Sequence, residues 1–313
     1  IETLRTFSAT IATNGPDQSA YSNGKHTAIY EMTGSETEGF IPFTIFDFVD
    51  WVGNIGDTVN TSTNGSTVLF DMTPPADFTV GMVTSKNGME VTGYWNASNQ
   101  SLDVIIPVPN DETLPEGGIQ LKTSFDGDFY SLGDTVLIEE SDINMDITLT
   151  VTGTDFESIF GFNENENAIF KADLWDKAGN ITTGSASISN LHIDETLPTL
   201  TMVNQQTNNA IADSLAKVGD TDTLTFSSIE GLDSITIQIM NQSATWNGSN
   251  RDWIGSYTFQ NSDNDGSVPF NIVFGDTAGN MGLIVSETTD ESSIRFDGTK
   301  PTLSSVSFIS TND

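Results

Sequence analysis

Apolar and polar residues alternate over short stretches along this chain, and a helical spacing of apolar positions is almost absent. Phe170, Ala172 and Leu174 are apolar, with Lys171 and Asp173 between them. This period of two is that of a strand with one face buried. Val68 and Phe70, Leu191 and Ile193, and Ile294 and Phe296 repeat it as three equivalent inward pairs. The same reading predicts strands at 78–83, 102–108, 118–123 and 135–138. Further on it predicts strands at 199–203, 223–227, 234–240, 256–259, 268–274, 282–286 and 292–296. One segment, 209–217, has a composition that predicts a turn or two of helix. About seven short strands per hundred residues, with turn residues every 8–12 positions, describe a two-sheet sandwich.

Two motifs recur three times in the same order. Asp-x-x-Gly-Asn stands at 50–54, 176–180 and 276–280, and Asp-x-Thr-x-Pro follows at 71–75, 194–198 and 297–301. Repetition at near-constant spacing is the signature of an array. In the first motif Asp bonds its own backbone and Gly supplies a positive φ, so it is a turn between antiparallel strands. Pro in the second ends strand pairing and stiffens the entry to the next unit. The predicted division is a partial domain at 1–71 lacking its first strands, a longer variant at 72–194, a third domain at 195–297, and a strand at 298–313. That last strand either opens a further domain or is donated to a neighbouring copy. Residues 302–310 resemble the first strand of the third unit, so the chain reads as a cut from a longer array.

The turns Asp-Lys-Ala-Gly-Asn and Asp-Thr-Ala-Gly-Asn, Gly-Asp-Thr at 133–135 and 219–221, and Asp-Gly-Thr-Lys-Pro-Thr at 297–302 resemble the immunoglobulin-like tandem repeats of large bacterial and archaeal cell-surface proteins, such as adhesins and surface-layer proteins. Gly93-Tyr-Trp-Asn96 looks like a second subtype from the same kind of chain. The resemblance implies an all-β fold, tandem immunoglobulin-like β-sandwiches in a linear array. It also implies an extracellular location and a non-catalytic role: spacing, stiffening, self-assembly into filaments or lattices, or adhesion.

Composition narrows the partners. Lys and Arg number 10 and Asp and Glu 44, a net charge of −34, although only 17% of residues are charged. Clustered cations for phosphate are missing, which excludes nucleic acid as a partner, and the same deficit disfavours an anionic membrane surface. There is no Cys, so disulfides and thiolate sites are excluded. No run of 18 apolar residues is present, so this segment has no membrane-inserting helix. Residues 1–14 lack the features of a signal peptide, so export would need one upstream. Self-repulsion at this charge predicts stability that rises with salt or calcium.

Calcium is the candidate cofactor. Hard cations take 6–8 oxygens, which Asp- and Asn-rich turns supply. Asp71, Asp194 and Asp297 lie at unit exits, and Asp50, Asp176 and Asp276 lie in the turns preceding them in the chain. If each turn packs near its exit, both aspartates share an ion. Asp263 and Asp265, within Asn-x-Asp-x-Asp-Gly, resemble half a calcium loop, but Ile272 stands where the bidentate Glu would be. Trp246 and Trp253 are candidate sugar-stacking platforms. Asn60, Asn64, Asn96, Asn99, Asn180, Asn241 and Asn247 open glycosylation sequons. The two histidines, His26 and His192, lie in different units, and no nucleophile elbow, zinc-protease or phosphate-loop motif is present. The expected partners are therefore neighbouring repeats, copies of the chain itself, and surface glycans.

Overall fold

The computed structural model describes residues 10–12, 27–48 and 52–311. In the third unit, alternating sequences form β-strands that split into two sheets. We number the main strands of the second and third units in chain order. The second unit holds β1 (Val83–Lys86), β2 (Ser101–Pro107), β3 (Gly118–Ser124), β4 (Asp146–Thr152), β5 (Asn167–Trp175) and β6 (Ile181–Thr183). The third holds β7 (Leu200–Thr207), β8 (Thr221–Ser228), β9 (Leu232–Ile239), β10 (Thr245–Ser249), β11 (Asp252–Thr258) and β12 (Phe270–Asp276).

Pairing order identifies the sandwich. One sheet of the third unit runs β7-β8-β11-β10, and the facing sheet pairs β9 with β12. Gln242–Ser243 pairs with β9 as the third strand of that sheet, and Val285 forms an isolated bridge to Ile272 of β12. These are the four- and three-stranded sheets of an immunoglobulin-type sandwich. The second unit repeats the scheme with β1-β2-β4 against β3-β5-β6. The fold is therefore all-β, built of immunoglobulin-like β-sandwich domains.

The cores are separate. Val80, Trp95, Leu102, Leu121, Phe156, Phe170, Leu174 and Ile193 belong to one buried cluster, and Val203, Leu224, Phe226, Ile237, Phe259, Phe274 and Phe296 to another. Each draws on one unit.

Several expectations need correction. Residues 209–217 form no helix: the Asn209 side chain accepts the Ile211 N–H at 2.9 Å in an Asx turn. Leu215–Ala216 then pairs in parallel with Arg295–Phe296. A single helical turn forms instead at Gly153–Glu157, where the Thr152 hydroxyl accepts the Asp155 N–H. The strand expected at 78–83 is divided. Thr79 bridges to Ser185 on one sheet, and β1, beginning at Val83, pairs with β2 on the other.

The first unit departs most. Val68 was placed inward with Leu191 and Ile294, yet it is 60% exposed while those two are buried. Among the described residues, 30–71 contribute nothing to either buried cluster, so no facing sheet covers Val68. Gly39–Phe40 pairs with Leu69–Phe70, and Thr10–Ala12 with Thr27–Ile29. No helix among the described residues is long and apolar enough to cross a membrane.

Candidate functional site at the domain junctions

The Asp-x-x-Gly-Asn turns at 176–180 and 276–280 are each held by their own aspartate. Asp276 Oδ1 accepts the N–H groups of Ala278 and Asn280 at 2.9 Å, and its Oδ2 accepts Asn280 Nδ2 at 3.0 Å. Asp176 does the same for Gly179 and Asn180 at 2.8–2.9 Å. Gly179 and Gly279 have φ of 95° and 93°, a region open mainly to glycine. Both aspartates are buried, at 1% and 4% exposure.

The turn then reaches across a junction. Asn280 Nδ2 also donates to the Asp194 carbonyl at 2.8 Å, and Asn280 Oδ1 accepts the Ala97 N–H at 2.9 Å. Asn96, fully buried, donates to the Ala278 carbonyl at 2.7 Å. The turn of the third sandwich is thus plugged into a socket on the second. At the preceding junction Asn180 Nδ2 donates to the Asp71 carbonyl at 3.1 Å. The expectation joined each exit to the turn before it. The structure joins the exits at Asp71 and Asp194 to the turn of the following unit, because a turn at one end of a sandwich faces the neighbour it enters from. Asp276 therefore meets Asp194 and not Asp297, and Asp176 meets Asp71 and not Asp194. Asp50 lies outside the described residues.

A third carboxylate completes the second-to-third junction. Glu230, on the loop between β8 and β9, brings an oxygen within 4.8 Å of oxygens of Asp194 and Asp276. Sequence reasoning missed it because it belongs to no repeated motif. Glu230 Oε1 is buried with no hydrogen-bond partner. Burial pushes the Asp194 carboxyl up to about 6, and Asp276 and Glu164 add to the effect. Burial likewise raises Glu230, with Asp276 and Asp194 contributing. Three carboxylates held this close, one oxygen lacking any donor, form an oxygen set suited to a hard divalent cation. Asp71 Oδ2 is likewise buried without a partner.

Asp263 and Asp265 serve another purpose. Tyr257 donates its hydroxyl to Asp263 at 2.9 Å, and Gln260 its N–H at 2.7 Å. Asp265 accepts the Gly298 N–H and the Thr299 hydroxyl, both at 2.6 Å. Glu38 braces Met72 and Thr73, and Glu164 braces Glu195 and Thr196, in the same manner. In each unit this acidic loop clamps the exit motif, with donors on both carboxylate oxygens. The Thr299 hydroxyl and the Gly298 N–H hold Asp265 below the usual carboxylate range. Asp297 Oδ1 accepts the Thr299 N–H at 2.9 Å.

The sugar and glycan candidates divide by burial. Trp253 is 7% exposed and lies in the third core, whereas Trp246, edge-on to it at 5.5 Å, is 48% exposed. Trp253 is thus a core side chain, and only Trp246 can offer a face to a sugar. We expect Trp253→Ala to cost about 3–5 kcal/mol in a denaturant titration. An unchanged midpoint would contradict that placement. Asn96 and Asn99 are buried, and Asn180 spends its amide on Asp71 and Asp176. Glycan mapping after expression in a glycosylating host should find modification at the exposed Asn60, Asn64, Asn241 or Asn247. Modification at Asn96 in folded protein would be incompatible with this packing.

No family model matches the chain, and no curated protein matches it. Among solved structures it is similar to one described as giving structural insight into host cell surface retention of a 1.5-MDa bacterial ice-binding adhesin. There it is 15% identical, covering 88% of this chain and 81% of that one, with a TM-score of 0.36. It is also similar to the FN1–FN3 domains of chicken CNTN1, 11% identical over 74% of this chain and 73% of that one, with a TM-score of 0.30. At these scores neither bears on function, and the immunoglobulin-like assignment stands on strand order alone.

Proposed function

We propose that this chain is a non-catalytic structural segment of an extracellular, cell-surface protein. It is a series of sandwiches that transmits force or sets distance, as in an adhesin stalk or surface layer. The observation that carries the reading is the built junction. The Asn of a turn crosses to the exit carbonyl of the preceding unit twice, at Asp71 and at Asp194. A calcium ion held by Asp194, Glu230 and Asp276 would neutralise the crowded carboxylates of the second junction and stiffen it. Small-angle scattering of the full chain tests both parts. In calcium the radius of gyration should lie well above the ~20 Å of a globule of this length. Excess chelator should broaden the distance distribution as the second junction loosens. A compact particle would overturn the array, and a profile indifferent to chelator would overturn the calcium.

A further inference from the structure

The middle sandwich has a sheet edge that nothing among the described residues covers. β4 pairs on one side only, with β2, so it closes its sheet. The Met145 carbonyl just before it accepts the Val108 N–H at 2.9 Å. Alternation along the ladder then turns the backbone groups of Ile147, Leu149 and Val151 toward β2, and those of Thr148 and Thr150 outward. Among the described residues these outward groups have no hydrogen-bond partner.

Other edges are blunted. Val83 of β1 donates its N–H to the Ser189 hydroxyl, and β1 ends in Lys86. On β7 the N–H groups of Val203 and Gln205 donate to the hydroxyls of Thr289 and Ser292, both at 2.9 Å. On β10 the Asn247 side chain accepts the Gly248 N–H. β4, by contrast, reads Asp-Ile-Thr-Leu-Thr-Val-Thr, with no Pro, Gly or Lys. Such an uncovered, β-branched edge is a template for another strand. The facing sheet ends on the same side, at the strand Val136–Leu137, where Leu137 is 71% exposed. Between the two edges lies a slot of about 210 Å³ walled by Leu132, Val136, Ile147 and Leu149 among others.

We propose that β4 pairs antiparallel with β4 of a second copy of the chain, across a twofold axis at Leu149. Charge favours that occupant. At a net −34 most of the surface repels a second copy, but β4 holds one carboxylate in seven residues. Full antiparallel overlap sets Asp146 opposite Thr152, so no like charges face each other. The same register sets Thr148 opposite Thr150, and their outward groups exchange both backbone hydrogen bonds. On the inner face it sets Leu149 against itself and Ile147 against Val151, and the apolar slots of the two copies adjoin. The contact is isologous, so it closes as a dimer and joins two chains side by side. It goes beyond the serial reading and needs neither the junction turns nor the cation.

Sedimentation velocity of the full chain over a range of concentrations in high salt tests it, since salt screens the net charge. The parent should form dimers as concentration rises. Thr148→Pro removes an outward N–H from each copy without touching the ladder to β2, and Pro is tolerated at such edge positions. It should weaken dimerisation about tenfold or more. Thr148→Val keeps the N–H and should dimerise like the parent. Thermal unfolding confirms that both variants are folded. Hydrogen–deuterium exchange of the parent gives a second readout that needs no variant. Residues 146–152 should exchange more slowly at high concentration than at low. A parent that is monomeric at every concentration, dimers that Thr148→Pro leaves intact, or exchange at 146–152 indifferent to concentration would overturn the proposal. A monomeric rod would do so while leaving the array intact.

Discussion

Asp222→Asn should stabilise the chain at pH 8 and leave it nearly unchanged at pH 4. Asp222 lies on the inward phase of β8 with Leu224 and Phe226, and it is fully buried. Gln205 Nε2 donates to its Oδ2 at 2.7 Å, while Oδ1 is buried with no partner. Burial pushes this carboxyl up to about 7, against 3.8 in its unperturbed state, and the Gln205 hydrogen bond offsets only part of the rise. The folded state therefore binds more protons than the unfolded chain between about pH 4 and 7. The stabilisation is complete below the unfolded value and is lost as pH rises through the folded one. Asn keeps an acceptor for Gln205 and carries no charge. Three pKa units at ~1.4 kcal/mol each bound the gain at about 4 kcal/mol above pH 7. Denaturant midpoints at the two pH values decide the matter. A parent and variant that lose stability in parallel from pH 4 to 8 would rule out Asp222 as the source.

Glu230→Gln should reverse its effect with calcium. Without a divalent cation, Glu230, Asp194 and Asp276 repel across less than 4.8 Å. A neutral amide at 230 should then match or raise the melting temperature. With calcium at a hundred times its dissociation constant, the parent should gain about 2.7 kcal/mol. The variant should keep only a fraction of that gain, because one of three carboxylates is gone. Equal melting temperatures for the parent in calcium and in chelator would remove the ion from this junction.

Much of the scaffold was legible because its determinants are local. A period of two placed Phe170, Ala172 and Leu174 inward, and all three are buried. Leu191, Ile193, Ile294 and Phe296 followed the same rule. Asp222 was legible in principle. Extending the alternation of Leu224 and Phe226 back by two residues puts a carboxylate in the core. Glu230 was not, since recurrence was the filter and its loop does not recur. Trp246 and Trp253 are nearly indistinguishable by sequence context. They differ because Gly255, opposite Trp246 on β11, leaves it at the open edge of the sheet, while Trp253 packs among Phe226 and its neighbours.

By itself the sequence determined most of the strands and the Asp-x-x-Gly-Asn turns of the second and third units, since alternation and turn chemistry act over a few residues. Only the tertiary structure decided which turn meets which exit. Asn280 and Asp194 are 86 positions apart, and no local preference links them. Their contact and the third carboxylate beside them follow from how one sandwich seats on the next.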